Sequence, residues 1–305
     1  MTMTEQIRRV VSISLGSSKR NAAAELELAG QKFIVERIGT DGDTDKAKEL
    51  MQQWDGKAAA IGLGGTDLYV YAGNKRYTFK ESADLVANVH ETPVLDGSGL
   101  KNSLERKVIN ELSESGRVHL RGTKVLLVCG VDRFGMAEAL LENGAELTLG
   151  DLIFSLNINK PLHSLTALGF WAKILAPFIT RLPVSWFYPM GEEQDKKVVR
   201  HPEYFIENDI IAGDFHYIKK FMPSKLPGKV IITNTVTAKD REMLRDAGVE
   251  LLITTTPCID GRSFGTNVME ALLVALDGSK TSLSSKRYLE LLEKYDIEAS
   301  VEYLV

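Results

Sequence analysis

A strand–loop–helix–strand unit near the middle of the chain most restricts the possible fold. Residues 123–151 read TKVLLVCGVDRFGMAEALLENGAELTLGD. The apolar run at 124–129 is typical of a buried parallel strand, and apolar residues at helical spacing follow at 136–143. Gly144 is placed to end that helix, and residues 145–149 form a second strand. This unit predicts a parallel, doubly wound sheet.

The loop of this unit carries two of the three glycines of the GxGxxG dinucleotide-binding pattern. Asp132 stands where the middle glycine belongs, and a carboxylate there obstructs and repels a pyrophosphate. Arg133 would neutralise Asp132 or hold the phosphate itself, and Asp151 is placed to bind ribose hydroxyls. A βαβ unit that binds no nucleotide is the alternative. We predict nucleotide contacts from the loop and the acid that follows it: Gly130, Asp132, Arg133, Phe134, Gly135 and Asp151.

Composition excludes several classes of function. The 305 residues are 26% charged and 44% hydrophobic, as expected for a globular protein of two domains. A formal net charge of -4 without a dense basic cluster argues against a nucleic-acid partner. Two cysteines without a CxxC motif argue against both a disulfide framework and a metal site. The first residues lead into a strand rather than an apolar signal core, so we expect a cytoplasmic location.

The order of predicted elements divides the chain into three parts. Residues 1–120 are predicted to form a mixed α/β domain that contributes the substrate side of the site. Its boundary lies near a glycine-containing turn. Residues 121–280 alternate strands and helices, which favours parallel pairing. Residues 281–305 form a helix and a strand that are free to pack back on the first domain. The predicted fold class is α/β, with an N-terminal mixed α/β substrate domain followed by a doubly wound, Rossmann-like domain.

The second domain contains an apolar, aromatic insertion at 160–190. Its most apolar part, 165–188, contains Lys173, Arg181 and two prolines, so it has no uncharged span of 18 residues. A core helix, a flap over the substrate and the contact face of a homodimer remain open. Contact with a membrane surface is the least favoured reading.

Polar clusters at predicted strand ends are the candidate sites, because ligands bind beyond the carboxyl ends of strands in open α/β sheets. DGSGLKN (96–102) exposes Lys101 and Asn102 at the start of a helix. A lysine in a cleft transfers a proton to or from a substrate hydroxyl if its pKa is depressed, whereas a solvated loop lysine has no such role. Asp96 and Asp67 are its candidate partners.

Four further clusters are candidate ligand sites. SLGSSKR (14–20) offers Ser14, Ser17, Ser18 and Lys19 to a substrate carboxylate or phosphate, or is a polar hairpin loop. His216 and Asn234 follow two other strands, His216 as a candidate acid or base. Thr255 and Thr256 are placed to meet a nicotinamide or ribose, although helix capping also explains such residues. GLGGTD (62–67) is an anion nest or a tight turn, and Arg262, Ser263 and Asn267 suit an anion.

These strings together resemble a group of bacterial proteins labelled quinate/shikimate 5-dehydrogenase-like. The resemblance rests on SLGSSKR, IGTDGD, GLGGTDLY, DGSGLKN, VDRFGMAEA, IIAGDFHYI, ITNTV, TTTP and GRSFGTNVMEA. It implies an N-terminal substrate domain, a C-terminal Rossmann domain, NAD or NADP, and a lysine–aspartate pair in the cleft between them. Lys101 is the best match to that lysine, although the usual asparagine–valine–threonine stretch is absent. Asp132 and Asp96 are the candidates for the aspartate.

The predicted function is therefore an NAD(P)-dependent oxidoreductase acting on a small hydroxylated carboxylate in an interdomain cleft. The cofactor supplies the hydride chemistry, and Asp151 favours NAD over NADP because a carboxylate repels a 2′-phosphate. The alternative is a non-redox Rossmann-type ligand-binding or transferase protein whose GVDRFG loop binds a different ligand.

Overall fold

The computed structural model describes residues 7–72, 75–182, 197–259 and 262–305. The elements of the first third are β1 (Arg8–Ser14), β2 (Ala22–Leu28), β3 (Gln31–Gly39), α1 (Thr44–Trp54), β4 (Ala60–Gly64), β5 (Tyr69–Ala72), β6 (Lys75–Thr78), α2 (Lys80–Val86), β7 (Val94–Leu95) and α3 (Ser98–Glu114). Five of these strands form a sheet in the order β2–β3–β1–β4–β7, in which β2 is antiparallel and the others are parallel. Strands β5 and β6 form the predicted hairpin, whose turn at Gly73 and Asn74 lies outside the described residues.

The remaining chain builds a second sheet. Its elements are β8 (Lys124–Leu127), α4 (Phe134–Glu142), β9 (Glu146–Leu149), α5 (Leu165–Ile179), α6 (Pro202–Glu207), β10 (Ile210–Gly213), α7 (Phe215–Phe221), β11 (Val230–Thr233), α8 (Ala238–Ala247), β12 (Leu251–Thr254), β13 (Cys258–Ile259), β14 (Arg262–Ser263), α9 (Thr266–Asp277), α10 (Ser285–Lys294) and β15 (Ser300–Tyr303). The strand order is β15–β12–β11–β10–β8–β9, parallel except for β15. The predicted α/β class, with parallel sheets in two units, is confirmed.

Local signals explain why the best-predicted helices form where they do. Helix α1 begins after Asp43, whose Oδ1 accepts a hydrogen bond from the Lys46 amide at 2.9 Å. Helix α8 begins with a reciprocal capping box between Thr237 and Asp240. Helix α3 starts at Ser98, so Lys101 and Asn102 lie close to its start, as the sequence predicts.

The apolar insertion contains a helix that is buried along one side. Leu168, Ala172 and Ala176 of α5 face the protein, whereas Phe170 and Phe178 are exposed. The part of the insertion at 183–190 lies outside the described residues. Within the described ranges, every helix is too short or too polar to cross a bilayer.

Helix α9 covers the first sheet, although it comes from the C-terminal half of the chain. It packs on β4 and β1 and beside α3, on the face opposite α1 and α2. Ten residues of α9 are buried, so other parts of the protein must cover nearly every face of this helix. The predicted boundary at residue 280 assigns α9 to the second domain, whereas in the structure this helix packs on the first sheet. At the end of the chain, β15 pairs with β12 in the second sheet and α10 packs beside α3.

Candidate functional site

A cleft of about 600 Å³ lies between the two sheets. It is lined by segments that follow β1, β4, β8, β10 and β11, and by the start of α9. Strand β8 has β9 on one side and β10 on the other, so the chain reverses its direction of winding at this point. Ligands of open α/β sheets bind at such a switch point. The cleft is therefore the candidate functional site.

A lysine held between two carboxylates forms the centre of this cleft. The Lys101 Nζ lies 2.8 Å from Asp67 Oδ1 and 2.8 Å from Asp132 Oδ1. Asp67 follows β4, Lys101 lies in the first turn of α3, and Asp132 belongs to the loop after β8. The lysine is 9% exposed, so both ion pairs are largely removed from water. The cluster joins three distant segments of the sequence at one point.

Arg133 forms a second buried cation beside this centre. Its guanidinium pairs with Glu105 of α3, lies 3.1 Å from Asp214 Oδ2 through Nη2, and lies 3.6 Å from Asp132 Oδ2 through Nε. Arg133 is 1% exposed, and all three partners are carboxylates. Of the two roles predicted for Arg133, these contacts match the pairing with Asp132 and leave the guanidinium committed to protein carboxylates rather than to a phosphate.

The buried charges set two unusual protonation states. Burial, together with the carboxylates of Asp67 and Asp214, raises the pKa of Asp132 to about 7 despite the ammonium beside it. Burial by itself would lower the pKa of Lys101, but Asp132 and Asp67 raise it above its ordinary value. The condition set for proton transfer by Lys101, a depressed pKa, is therefore not met, because two carboxylates outweigh desolvation. Asp132, rather than Lys101, titrates near neutral pH.

Cations line the part of the cleft formed by the first unit. Arg37 donates to Ser14 Oγ at 3.1 Å and to the Ser17 carbonyl at 3.0 Å. Arg20 Nη1 lies 3.1 Å from His216 Nε2, and Lys19 also lines the cleft. Burial, reinforced by Arg20, lowers the pKa of Arg37 to about 10, so it stays charged at neutral pH. We refer to Lys19, Arg20 and Arg37 as the basic rim.

Three polar groups beyond the basic rim complete the lining. Burial lowers the pKa of His216, which favours the neutral imidazole, although Asp214 opposes this effect. Asn234 Nδ2 donates to Asp214 Oδ2 at 3.0 Å and so orients that carboxylate. At the opposite wall, Thr266 is 5% exposed and its Oγ1 has no hydrogen-bond partner among the described residues. These side chains offer hydrogen-bonding atoms that suit a polar, hydroxylated ligand.

Asp151 binds the backbone amides of the glycine loop and does not line the cleft. Its Oδ2 accepts the Gly130 amide at 3.0 Å and its Oδ1 accepts the Val131 amide at 2.8 Å. Burial raises the pKa of this carboxyl. Leu168 of α5 lies over the loop, since a Cβ on Gly130 would meet its Cδ2 at 3.1 Å. The acid predicted to bind ribose thus binds the amides of its own loop.

The structure brings together ten of the residues predicted for the site. Those that line the cleft are Ser14, Lys19, Asp67, Asp96, Lys101, Asp132, Arg133, His216, Asn234 and Asn267. Asp96 differs from the rest, because its oxygens accept hydrogen bonds from the Leu68, Tyr69 and Ser98 amides and the Ser98 hydroxyl. It therefore holds the turn that precedes α3.

Other predicted residues lie away from the cleft. They are Ser17, Ser18, Asn102, Gly130, Phe134, Gly135, Asp151, Thr255 and Thr256. Asn102 packs against α4, where a Cβ on Gly135 would lie 2.3 Å from its Oδ1. Thr256 Oγ1 donates to the Asn234 carbonyl at 2.8 Å, and Thr255 is fully buried. The side chains of Arg262 and Ser263 lie outside the described part of the chain.

Sequence reasoning gave no role to several lining residues. Arg37 lies within β3 with no motif around it, whereas Asp214 directly follows β10 and was detectable as a strand-end carboxylate. Asn267, which the sequence suggested for an anion, also lines the cleft, and it donates from Nδ2 to Ser12 Oγ at 2.9 Å, across 255 residues of sequence. The glycines of GLGGTD permit this approach, because a Cβ on Gly62 would lie 3.0 Å from Asn267 Nδ2.

Comparisons with solved structures return α/β proteins of differing function. The malic enzyme of Entamoeba histolytica is 12% identical with a TM-score of 0.43, over 96% of this chain and 65% of that one. L-tryptophan dehydrogenase from Nostoc punctiforme is 14% identical with a TM-score of 0.39, over 96% and 81%. A carbohydrate transporter solute binding protein from Agrobacterium radiobacter, in complex with D-arabinose, is 10% identical with a TM-score of 0.36, over 98% and 95%.

Sequence comparisons are more specific about kinship. No curated protein matches the sequence. Residues 9–96 match a family described as Domain of unknown function (DUF8753). Residues 99–304, more than half of the chain, match a second family. The chain therefore belongs to the family described as Domain of unknown function (DUF8754).

Proposed function

We propose that the protein is an enzyme that binds a small hydroxylated carboxylate in the cleft and moves a substrate hydroxyl proton through Asp132. The observation that carries this proposal is the Asp67–Lys101–Asp132 cluster, with its 2.8 Å contacts at the switch point of the sheet. A general base is most effective when its pKa lies near the working pH, and the pKa of Asp132 is about 7. Perturbed carboxyls in clefts are candidate catalytic groups on physical grounds.

The other members of the cluster have roles that follow from their charges. Lys101 remains an ammonium, so it orients the Asp132 carboxylate and stabilises negative charge on a substrate oxygen. Asp67 holds the ammonium from the other side at 2.8 Å. In the proposed step, the substrate O–H bond breaks and its proton moves to the Asp132 carboxylate. Lys101 is thus assigned charge stabilisation rather than proton transfer.

The basic rim supports an anionic substrate. Three cations from one segment and one strand face a cleft whose other wall carries hydroxyls and amides. Arginine and lysine bind carboxylates by charge-assisted hydrogen bonds. The carboxylate of the ligand would then lie at the basic rim and its hydroxyl near Asp132.

A more specific hypothesis is that this proton transfer is part of an NAD(P)-dependent oxidation of the substrate hydroxyl. The resemblance to quinate/shikimate 5-dehydrogenases supports it. The strand order of the second sheet, with Gly130 in the β8–α4 loop and Gly135 in the first turn of α4, also favours it. The surroundings of that loop do not fit a dinucleotide, however. Asp151 already binds the first two loop amides, Asp132 takes the place of the middle glycine, and α5 lies over Gly130. We therefore derive no hydride step, and a non-redox reaction remains the alternative.

Ligand binding and proton transfer can be tested together. A panel of lactate, malate, tartrate, quinate and shikimate should raise the melting temperature of the wild type, because ligands that bind the native state stabilise it. Arg20→Gln should weaken that binding, whereas Arg121→Gln, at an exposed position remote from the cleft, should not. A panel without effect on the wild type would contradict the proposed substrate class.

The role of Asp132 requires turnover of whichever panel member binds, with and without NAD or NADP. Asp132→Asn should lower the turnover number by about 10²–10⁴-fold while leaving binding largely intact. Asp209→Asn changes an exposed aspartate and serves as the matched control. Turnover of Asp132→Asn equal to that of the control would remove Asp132 from the mechanism. Titration with NADH and NADPH, followed by fluorescence, tests the hypothesis of NAD(P)-dependent oxidation.

A further inference from the structure

A second, apolar pocket of about 100 Å³ lies on the other side of the Asp132 loop. Its walls come from α5, the turn of π-helix at Asp151–Ser155, the hairpin strand β5 and Phe79. The large apolar side chains around it include Leu152, Leu156, Leu162, Leu168, Trp171, Leu175 and Ile179. The pocket therefore suits a group without hydrogen-bonding atoms.

The pocket and the cleft meet at two residues. Asp132 and Tyr217 line both. These two side chains form a wall shared by the pocket and the cleft, so a ligand whose hydroxyl lies at Asp132 is one side chain away from the apolar space. This shared wall distinguishes the pocket from an isolated packing defect in the core.

Packing gives a second reason to expect an occupant. Protein interiors are packed to crystal-like density, and large apolar side chains usually close a void of this size. Here they stand around a pocket at the C-terminal edge of β8, where the fold places its ligand. A cavity of roughly 150 Å³ accommodates benzene, so a pocket of about 100 Å³ admits a group no larger than a benzene ring.

We propose that this pocket binds an apolar substituent of the ligand whose polar part lies in the cleft. The substrate class is then a hydroxylated carboxylate that carries an alkyl or aryl group of up to about six carbon atoms. This inference rests on the proposed function for the polar part of the ligand. A nucleotide base is the competing occupant, because the pocket adjoins Asp151.

The test is a calorimetric titration with lactate, 2-hydroxybutanoate, 2-hydroxyhexanoate and phenyllactate. Affinity for the wild type should rise about fourfold for each methylene until the pocket is filled, since each buried methylene contributes about 0.8 kcal/mol. Ala172→Phe fills the pocket and should abolish this dependence while leaving lactate binding unchanged. Thr166→Phe places the same ring at an exposed position of α5 and should preserve it. Ala176→Leu replaces Ala172→Phe if the latter does not fold.

Two results would overturn the inference while leaving the proposed function intact. One is an affinity independent of chain length in the wild type, and the other is a dependence that Ala172→Phe does not alter. If none of the four acids binds, the proposed substrate class fails and benzene tests the pocket by itself. Benzene should then raise the melting temperature of the wild type and Thr166→Phe but not of Ala172→Phe, and no change in the wild type overturns the inference. Displacement of benzene by 5′-AMP would assign the pocket to a nucleotide instead.

Discussion

Glu270 of α9 is a buried acid whose replacement should make the protein more stable at alkaline pH. The side chain is 1% exposed, and its Oε1 accepts hydrogen bonds from the Tyr288 hydroxyl at 2.5 Å and the Ser282 hydroxyl at 2.9 Å. Burial, together with Asp96, raises the pKa of this carboxyl to about 7. Glu270→Gln keeps an oxygen acceptor for Tyr288 and Ser282 and removes the ionisation.

The magnitude follows from proton linkage. The unfolded chain ionises Glu270 near pH 4.5 and the native state near pH 7, so the native state binds more protons between these values. The stabilisation by the bound proton is complete below pH 4.5 and is lost as the pH rises through 7. Each pKa unit corresponds to about 1.36 kcal/mol, so the wild type loses about 3 kcal/mol from this group by pH 8. Glu270→Gln should not lose it.

Urea unfolding at intervals from pH 5 to 8.5 measures this effect. The free energy of unfolding of Glu270→Gln minus that of the wild type should increase by about 3 kcal/mol over this range. Taking the difference cancels the contributions of Asp132 and Asp151, whose pKa values are also raised. Glu293→Gln, at an exposed position of α10, should give a pH-independent difference. A pH-independent difference for Glu270→Gln as well would refute the reasoning.

Three further variants probe the geometry of the site. Lys101→Met removes the ammonium between Asp67 and Asp132 and should cost about 3–5 kcal/mol at pH 8 but less at pH 5, where Asp132 is protonated; equal costs in urea unfolding would contradict this. Gly97→Ala should lower the melting temperature more than Gly116→Ala, because both have positive φ but a Cβ at 97 also lies 2.8 Å from the Asn267 amide. Asp151→Asn loses one of its two acceptors for the loop amides and should destabilise the protein by about 1–3 kcal/mol in urea; an unchanged stability would show that this closure of the loop does not form.

Elements with local signals were predictable from sequence. Helices α1, α7 and α8 begin after Asp43, Asp214 and Thr237, each of which accepts a backbone hydrogen bond from the first turn. The first residue of α3 was not predictable, because Asp96 fixes it through the amides of Leu68 and Tyr69. Helix α2 was missed since Phe79, at its N-terminus, makes no side-chain capping bond.

The site was predictable residue by residue but not as a network. Lys101, Asp67 and Asp132 each drew attention because they follow glycine-rich turns at predicted strand ends. One partner of Arg133 is Glu105, on a face of α3 that no motif marks. The sequence position of Asp151 is compatible with binding a ribose and with binding the amides of its own loop. Only the folded structure distinguishes these two roles. Pairings of this kind depend on tertiary packing, which sequence periodicity does not encode.

The return of α9 to the first sheet has a consequence for biosynthesis. A ribosome adds about 5–20 residues per second, so the N-terminal strands emerge on the order of ten seconds before the helix that covers them. Until Thr266–Asp277 leaves the exit tunnel, apolar residues of β1 and β4 such as Val10 and Ala60 lack their partner. The nascent N-terminal half is therefore a candidate client for chaperones, and the two halves should fold as one cooperative unit.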